Sequence, residues 1–398
     1  MNQILNRYNF TFVGLLLFHV LVLIFLANDF SIASNEIHVF HENKGIIGFL
    51  TNLFPNLFAT TIIFIKLPFI LLYAMSAIVL YLLTENYFKY QYDRVFAVSI
   101  FMLLPGVNSA ALLMNESIIV IFCTLFYLYL YKLSGKENYF LLFLFLFIDN
   151  SFAILYLALF FYSIKKQNNF LLFFSLLFFG LSMSFYGFDM GGRPRGYFVD
   201  TFAIYASVFS PLLFLYFFYA IYRFGIKFER DMYWYLSMTA LAFSLVISLR
   251  QKVYIEDFAP FIVIAIPVMV KLFLHSVRVR IKEHKGNYLF FAYLVMSVLI
   301  LNFVVFVFNK SLYLVIENPK KHFAYDYHIA KELSEELKKL NIKSVNAESN
   351  ELQERLEFYG ITKSNGPKLI KGQLQDINYD ISIEYFNKTV EKYDLVKN

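Results

Sequence analysis

Residues Ser34–Gly45 read SNEIHVFHENKG and place Glu36, His38, His41, Glu42 and Lys44 within a dozen positions, directly after an apolar run. Further along, Glu116, Asp149, Asn150, Asp189, Arg193, Arg195, Arg250, Lys252, Tyr254, Glu256 and Asp257 stand at the ends of, or between, other apolar runs. Carboxylates beside cations at a membrane surface suit one kind of chemistry: an acid takes a proton from a hydroxyl while Arg and Lys hold a departing phosphate. A lipid phosphate is the natural leaving group there, and arginine binds phosphate through two parallel hydrogen bonds. A merely solvated loop would carry the same charges.

Three stretches need separate treatment. His38-x-x-His41 puts two rings on one side of a helical turn, with Glu36 and Glu42 as possible oxygen ligands, but no second ligand pair of known pattern accompanies them, so we assign no metal site. GFDMGGRPRGYF, 187–198, is glycine-rich, yet it neither follows a strand nor opens a helix of a nucleotide-binding domain, which excludes a nucleotide P-loop reading. It reads as a connector or as a mobile loop presenting Arg193 and Arg195 to a phosphate. Lys66 sits about five residues into an apolar span beside Pro68, a depth at which an ionisable group either serves function or snorkels to the interface.

The elements that must position these residues are membrane helices. The 398-residue chain is 59% hydrophobic and 16% charged, with 50 Phe and 30 Tyr, far from the usage of a soluble domain. Its net charge of +6 is scattered between apolar segments, the pattern of membrane orientation and not of a nucleic-acid partner. The one Cys, Cys123, excludes a disulfide framework and a cysteine metal cluster. Apolar runs predict spans near 10–28, 61–83, 95–114, 116–133, 169–187, 201–222, 232–249, 258–275 and 287–309. The first is too long for the core of a cleaved signal and reads as an uncleaved anchor. The stretch 138–164 carries Asp149-Asn150 at its centre and is one long span or a hairpin with that pair at the tip. With a cytoplasmic amino terminus and a hairpin, fourteen Lys and Arg fall inside against five (Lys44, Arg193, Arg195, Arg250 and Lys252) in short outer loops, as positive-inside orientation requires. The expected fold is therefore an α-helical polytopic membrane protein of about eleven crossing segments, a count that rests on twenty or so apolar residues per span.

After the last span the material changes. DYHIAKELSEELKKL aligns Ile329, Leu333, Leu337 and Leu340 on one helical face behind an Asp326 cap, IKSVNA reads as a strand, NELQERLEFYG as a second helix with Asn350 and Gln353 in capping-box relation, and INYDISIEYF alternates as a strand does. We expect residues 1–309 to form a transmembrane domain whose first outer loop is 29–60, and 310–398 a small extracytoplasmic α/β domain.

In order along the chain, these pieces resemble the GT-C class of integral-membrane glycosyltransferases, the family of protein mannosyltransferases and the lipid A aminoarabinose transferase. SNEIHVF resembles the acidic pair and following aromatic of that family's first outer loop, with Glu36 at the second acid and Phe40 at the aromatic; Lys66-Leu67-Pro68 matches its basic-Leu-Pro entry into the second span. Pro105 and Glu116 match the proline that closes one span and the acid that opens the next, SLRQKVYIEDFAPFIVIAIPVMVKL resembles its basic, tyrosine and proline pattern, and LQERLEFYGI its terminal soluble domain. The resemblance implies a sugar donor on a polyprenyl phosphate and a glycan, lipid or protein acceptor at the outer face of the cytoplasmic membrane. It implies Glu36 and Glu116 as catalytic residues, and Asn35, His38, Lys66, Arg193, Arg195, Arg250, Lys252 and Tyr254 as substrate-binding residues, with inverting transfer and the polyprenyl-phosphate sugar as donor; it leaves a divalent metal open. The sequence departs from the family at Asn35, which stands at the first acid; either Glu36 has taken over the base role or the chain is a divergent or inactive member. The rival readings, a surface-polysaccharide ligase or polymerase and a lipid or solute transporter, predict a large loop between late spans or polar groups deep in many spans.

Overall fold

The computed structural model describes residues 2–396, apart from 59, 188–189, 192, 194 and 373–379; Asp189 and the first residues of the expected strand from 377 lie outside the described residues. The chain forms two compact units, Met1–Leu21 with Phe69–Phe303, and Val22–Pro68 with Val304–Asn398.

The first unit is helical. Among the described residues of both units, five helices are long and apolar enough to cross a membrane, Arg7–Asp29, Ile62–Leu83, Glu116–Ser134, Ala259–Val279 and Lys282–Val307. Two of the expected spans are broken. The run 95–114 bends by 58° between Gln91–Leu103 and Pro105–Leu112, and 201–222 bends by 105° between Phe198–Phe209 and Pro211–Lys227. Both breaks fall where a proline has no N–H to give and crowds the preceding turn, and at the second Ser210 takes φ 78. Counting each bent pair as one span gives up to seven by length and composition among the described residues, so the eleven expected are not confirmed. The helices Asn169–Phe185 and Met232–Ser248 have 17 residues each, about 25 Å of rise at 1.5 Å per residue, short of a ~30 Å hydrocarbon core.

The stretch 138–164 folds back on itself. The helices Tyr139–Phe145 and Phe152–Lys166 flank Asp149-Asn150, the Tyr156 hydroxyl donates to the Leu142 carbonyl at 2.8 Å, and the Phe145 and Phe152 rings stack at 4.5 Å. Fourteen residues of straight helix would hold Leu142 and Tyr156 about 21 Å apart. The turn is fixed by the Asp149 carboxylate, which accepts from the Ser151 N–H at 2.8 Å. A seven-residue first arm rises only about 10 Å, so it does not add a full crossing.

The second unit holds the helices Ser34–Glu42 and Gly45–Leu53 of the first loop together with the carboxy-terminal domain. In the first unit, two short strands, β1 (Met190–Gly191) and β2 (Lys252–Val253), pair antiparallel. In the second, β3 (Ser344–Ala347), β4 (Thr362–Lys371), β5 (Ile381–Tyr385) and β6 (Lys388–Val396) form a sheet of order β3-β4-β6-β5, parallel at β3/β4 and antiparallel elsewhere. The helices Ala330–Lys339 and Asn350–Phe358 cover it, and the core joins Ile329, Leu333 and Leu337 to Val345, Leu356, Leu369, Ile381 and Ile383. Leu340 lies outside that core at 50% exposure because the helix ends at Lys339. The caps differ from expectation by a few residues. Ile329, and not Asp326, precedes the first helix, and the Ser349 hydroxyl, not Asn350, accepts from the Leu352 N–H at 3.1 Å. β4 and β6 carry lysines and acids on a half-covered sheet, so their alternation is weak in the sequence.

Candidate active site

In the second unit the structure brings together two candidates thirty residues apart. Lys66 Nζ lies 3.2 Å from Glu36 Oε1, with side-chain exposures of 0% and 3%. The local sequence explains the placement. Ala33, extended ahead of the helix Ser34–Glu42, has no side chain to cap it, so Glu36 at the third position turns back and its Oε2 accepts the Ala33 N–H at 3.0 Å. Its Oε1 is left facing Lys66, which stands one turn inside Ile62–Leu83. The ammonium also sits 5.8 Å from the Phe30 ring and 5.6 Å from that of Tyr327. Neither Glu36 Oε1 nor Lys66 Nζ has a hydrogen bond of good geometry, so the pair is a contact of charges with unused donors and acceptors in a dry setting. A buried ammonium with free N–H groups is equipped to take an anionic oxygen.

Asn35, the neighbour of Glu36, is exposed and lines a cleft between the loop and the carboxy-terminal domain, with about 1230 Å³ of empty space open to solvent. His38 points elsewhere: it is half exposed and its Nδ1 lies 3.8 Å from Glu354 Oε2, a surface pairing. Behind the cleft, Arg355 is buried and spends its guanidinium on the Ile32 carbonyl at 2.8 Å, the Ser31 hydroxyl and the Asp326 carbonyl. Glu391, 2% exposed, is held by Lys371, by the Tyr325 hydroxyl and by the Tyr393 hydroxyl at 2.9 Å. Burial lowers the Lys371 ammonium and raises the Tyr325 and Tyr393 phenols. These cleft residues carried no signal in the sequence beyond the polarity of an α/β surface.

In the first unit, β1/β2 pairing gathers four cations that lie some fifty residues apart in the chain. Gly191 is opposite Lys252, the Arg195 N–H donates to the Arg250 carbonyl at 3.2 Å, and the Tyr197 N–H to the Ser248 carbonyl at 2.8 Å. Arg193, Arg195, Arg250 and Lys252 are all exposed on this ladder. Arg195 stacks over Tyr197 at 4.7 Å and Lys252 over Tyr254 at 6.0 Å, so the two tyrosines stiffen the cations without neutralising them. Glu116 is the first residue of its helix, and the Asp149 carboxylate of the 146–151 turn is among the acids near it. Beside it Asn115 Nδ2 donates to Glu256 Oε2 at 2.7 Å and Ser117 Oγ to the Glu256 carbonyl at 3.1 Å. No group of three or more His, Cys, Asp or Glu suited to a metal ion occurs among the described residues.

The long apolar helices and the bent pairs have the length and composition of a chain that crosses a membrane several times, with a small sheet after the last of them. The chain is similar to ArnT from Cupriavidus metallidurans, solved bound to undecaprenyl phosphate, with a TM-score of 0.51 over 89% of this chain and 86% of that one, at 9% sequence identity. No protein-family model matches the sequence, and no curated protein is similar to it at the level of sequence.

Proposed function

We propose that this protein is a glycosyltransferase of the cytoplasmic membrane that moves a sugar from a polyprenyl phosphate to an acceptor hydroxyl at the outer face. The amino terminus is cytoplasmic, and the carboxy-terminal domain, 310–398, is extracytoplasmic. The observation that carries this reading is the dry Glu36–Lys66 pair at the entry of a membrane span, in a chain sharing its fold with a protein solved with undecaprenyl phosphate. Lys66 offers the donor phosphate a cation with unused N–H groups, and the ladder of Arg193, Arg195, Arg250 and Lys252 supplies exposed positive charge of the same kind.

Glu36 is the base in this reading. Its Oε2 is taken by the Ala33 N–H, so Oε1 receives the acceptor proton once the phosphate has engaged Lys66. The acceptor oxygen bonds to the anomeric carbon, the bond from that carbon to the phosphate oxygen breaks, and polyprenyl phosphate leaves with its electron pair. Glu116, with Asp149 near it, acts as a second polar anchor.

The test is transfer of radiolabelled sugar from undecaprenyl-phosphate donors by membranes holding wild type or Glu36→Gln. Gln retains an oxygen for the Ala33 N–H, so the helix keeps its cap. Transfer by the wild type and its loss in the variant at equal expression support the reading; equal transfer removes Glu36 as base; no transfer from any donor overturns the enzyme reading.

A further inference from the structure

The cleft of the second unit has chemistry that a phosphate site lacks. Its inner charges are already matched. Glu391 is neutralised by Lys371 and capped by two phenols, and Arg355 is committed to carbonyls. What faces solvent is mostly acidic and amide: Asp326, Glu348, Glu351 and Asn35 are exposed along its walls, and the one exposed cation of the lining, Lys371, is paired with Glu391. Glu348 and Glu351 flank Ser349, the cap of the helix Asn350–Phe358, so both sit on rigid backbone and not on a free loop. Three rings also line it: Tyr325 and Tyr327 are partly exposed, Tyr393 is 3% exposed behind them, and the Tyr325 and Tyr393 hydroxyls are fixed on Glu391.

Fixed aromatic rings with acceptor oxygens around them are suited to a polyhydroxylated ring, whose C–H face packs on the aromatics while its hydroxyls donate to carboxylates. Lining charge then decides which one. Four carboxylates, Asp326, Glu348, Glu351 and Glu391, stand against two cations, Arg355 and Lys371, so an acidic or phosphorylated ligand meets net repulsion and an ammonium meets both carboxylates and π-faces. Its cavity of about 500 Å³ falls within the ~300–1,000 Å³ of ordinary small-molecule sites and is open to solvent, so a sugar ring can enter with its chain continuing outward. Its wall at Asn35 is next in sequence to Glu36.

We propose that this cleft is the acceptor site and that it takes a glycan bearing free amino groups in preference to an acidic one. The acceptor role rests on the transferase reading above; the saccharide preference stands on the lining alone.

Calorimetric titration of the full-length protein in detergent, below neutral pH, tests it with three probes: the β-1,4-linked glucosamine tetramer, its N-acetylated counterpart, and a hyaluronan tetrasaccharide carrying uronates. The expected order is glucosamine tightest, the N-acetylated tetramer weaker, and hyaluronan silent. Glu348→Gln with Glu351→Gln, both exposed, should weaken glucosamine binding about tenfold and leave the N-acetylated tetramer within about twofold. Tyr325→Ala should weaken both. Binding of hyaluronan as tight as that of glucosamine, or no heat with any probe, overturns the proposal. Undecaprenyl phosphate binding to the same preparations separates the two readings. Lipid binding without oligosaccharide binding removes the cleft assignment alone; oligosaccharide binding without lipid binding keeps the cleft and removes the transferase.

Discussion

Lys66 Nζ lies 3.2 Å from Glu36 Oε1, and the two side chains are 0% and 3% exposed. Removing one partner from a buried pair strands the other charge, at a typical cost of about 3–5 kcal/mol, whereas removing both leaves no bare charge. We predict that Lys66→Met and Glu36→Leu each lower the melting temperature of the detergent-solubilised protein sharply, and that the double variant recovers much of the loss. A thermal double-mutant cycle measures this. Simple additivity of the two losses would show that the pair is not coupled.

The ladder at β1/β2 makes a different prediction, on affinity and not on stability. Arg250 and Lys252 are exposed, so replacing both with Gln should change stability by no more than about 0.5 kcal/mol. Charge-assisted hydrogen bonds to phosphate contribute about 1.5–3 kcal/mol. Undecaprenyl phosphate should accordingly bind the double variant at least about tenfold more weakly, with a shallower salt dependence than the wild type. Native mass spectrometry across a salt series reads both. An unchanged affinity removes the ladder from donor binding.

How much of this was legible in the sequence differs by residue. Lys66 declared itself, because a lysine five residues into an apolar run has no bland explanation beyond snorkelling. Its partner did not, since a contact between residues 36 and 66 depends on how the intervening loop packs. Asp149-Asn150 does mark a turn, because an acid in mid-run resists burial, but the seven-residue arm before it is too short for the crossing expected there. The bends at Pro105 and Pro211 were visible as prolines, yet hydropathy windows run across a proline and report one span where the backbone has two. β1/β2 escaped because two-residue strands have no periodicity, and with them went the gathering of Arg193, Arg195, Arg250 and Lys252. The acidic character of the cleft escaped because Glu391 and Arg355 read as ordinary surface charges until their burial is known, and Asp326, Glu348 and Glu351 until they are seen to share one wall.

Gly225 packs against the chain's single Trp. An added Cβ would meet Trp234 Cζ2 at 2.7 Å, and that ring is pinned by its Nε1 donating to the Ile221 carbonyl at 2.8 Å, with the Arg230 guanidinium 5.1 Å over its face. A helix pair at this distance tolerates no methyl without moving the indole. Gly225→Ala should therefore destabilise by about 1–3 kcal/mol and shift Trp234 fluorescence. An unshifted emission spectrum at unchanged stability would mean that the contact is not tight.

The last prediction concerns pH. His328 is 2% exposed, its Nδ1 is 3.0 Å from the Tyr313 hydroxyl, and its Nε2 has no partner. Burial, together with the charges of Lys310 and His322, pushes its imidazole down to about 3, and burial also lowers His322. An unfolded histidine takes its proton near 6.5, so between about 6.5 and 3 the unfolded chain binds the proton that the folded domain refuses. The contribution is thus fully present above pH 6.5 and falls as pH drops through that window, by about 1.4 kcal/mol per unit for His328 alone. Glu332, whose carboxyl is raised by burial, works with the opposite sign, so the effect is read as a difference between variants. Hydrogen exchange of β5 and β6, corrected for intrinsic rates, should show protection falling from pH 7 to pH 5 in the wild type. His328→Phe, which has no proton to take, should flatten that slope, and an equal slope in the two proteins would show that His328 is not the group responsible.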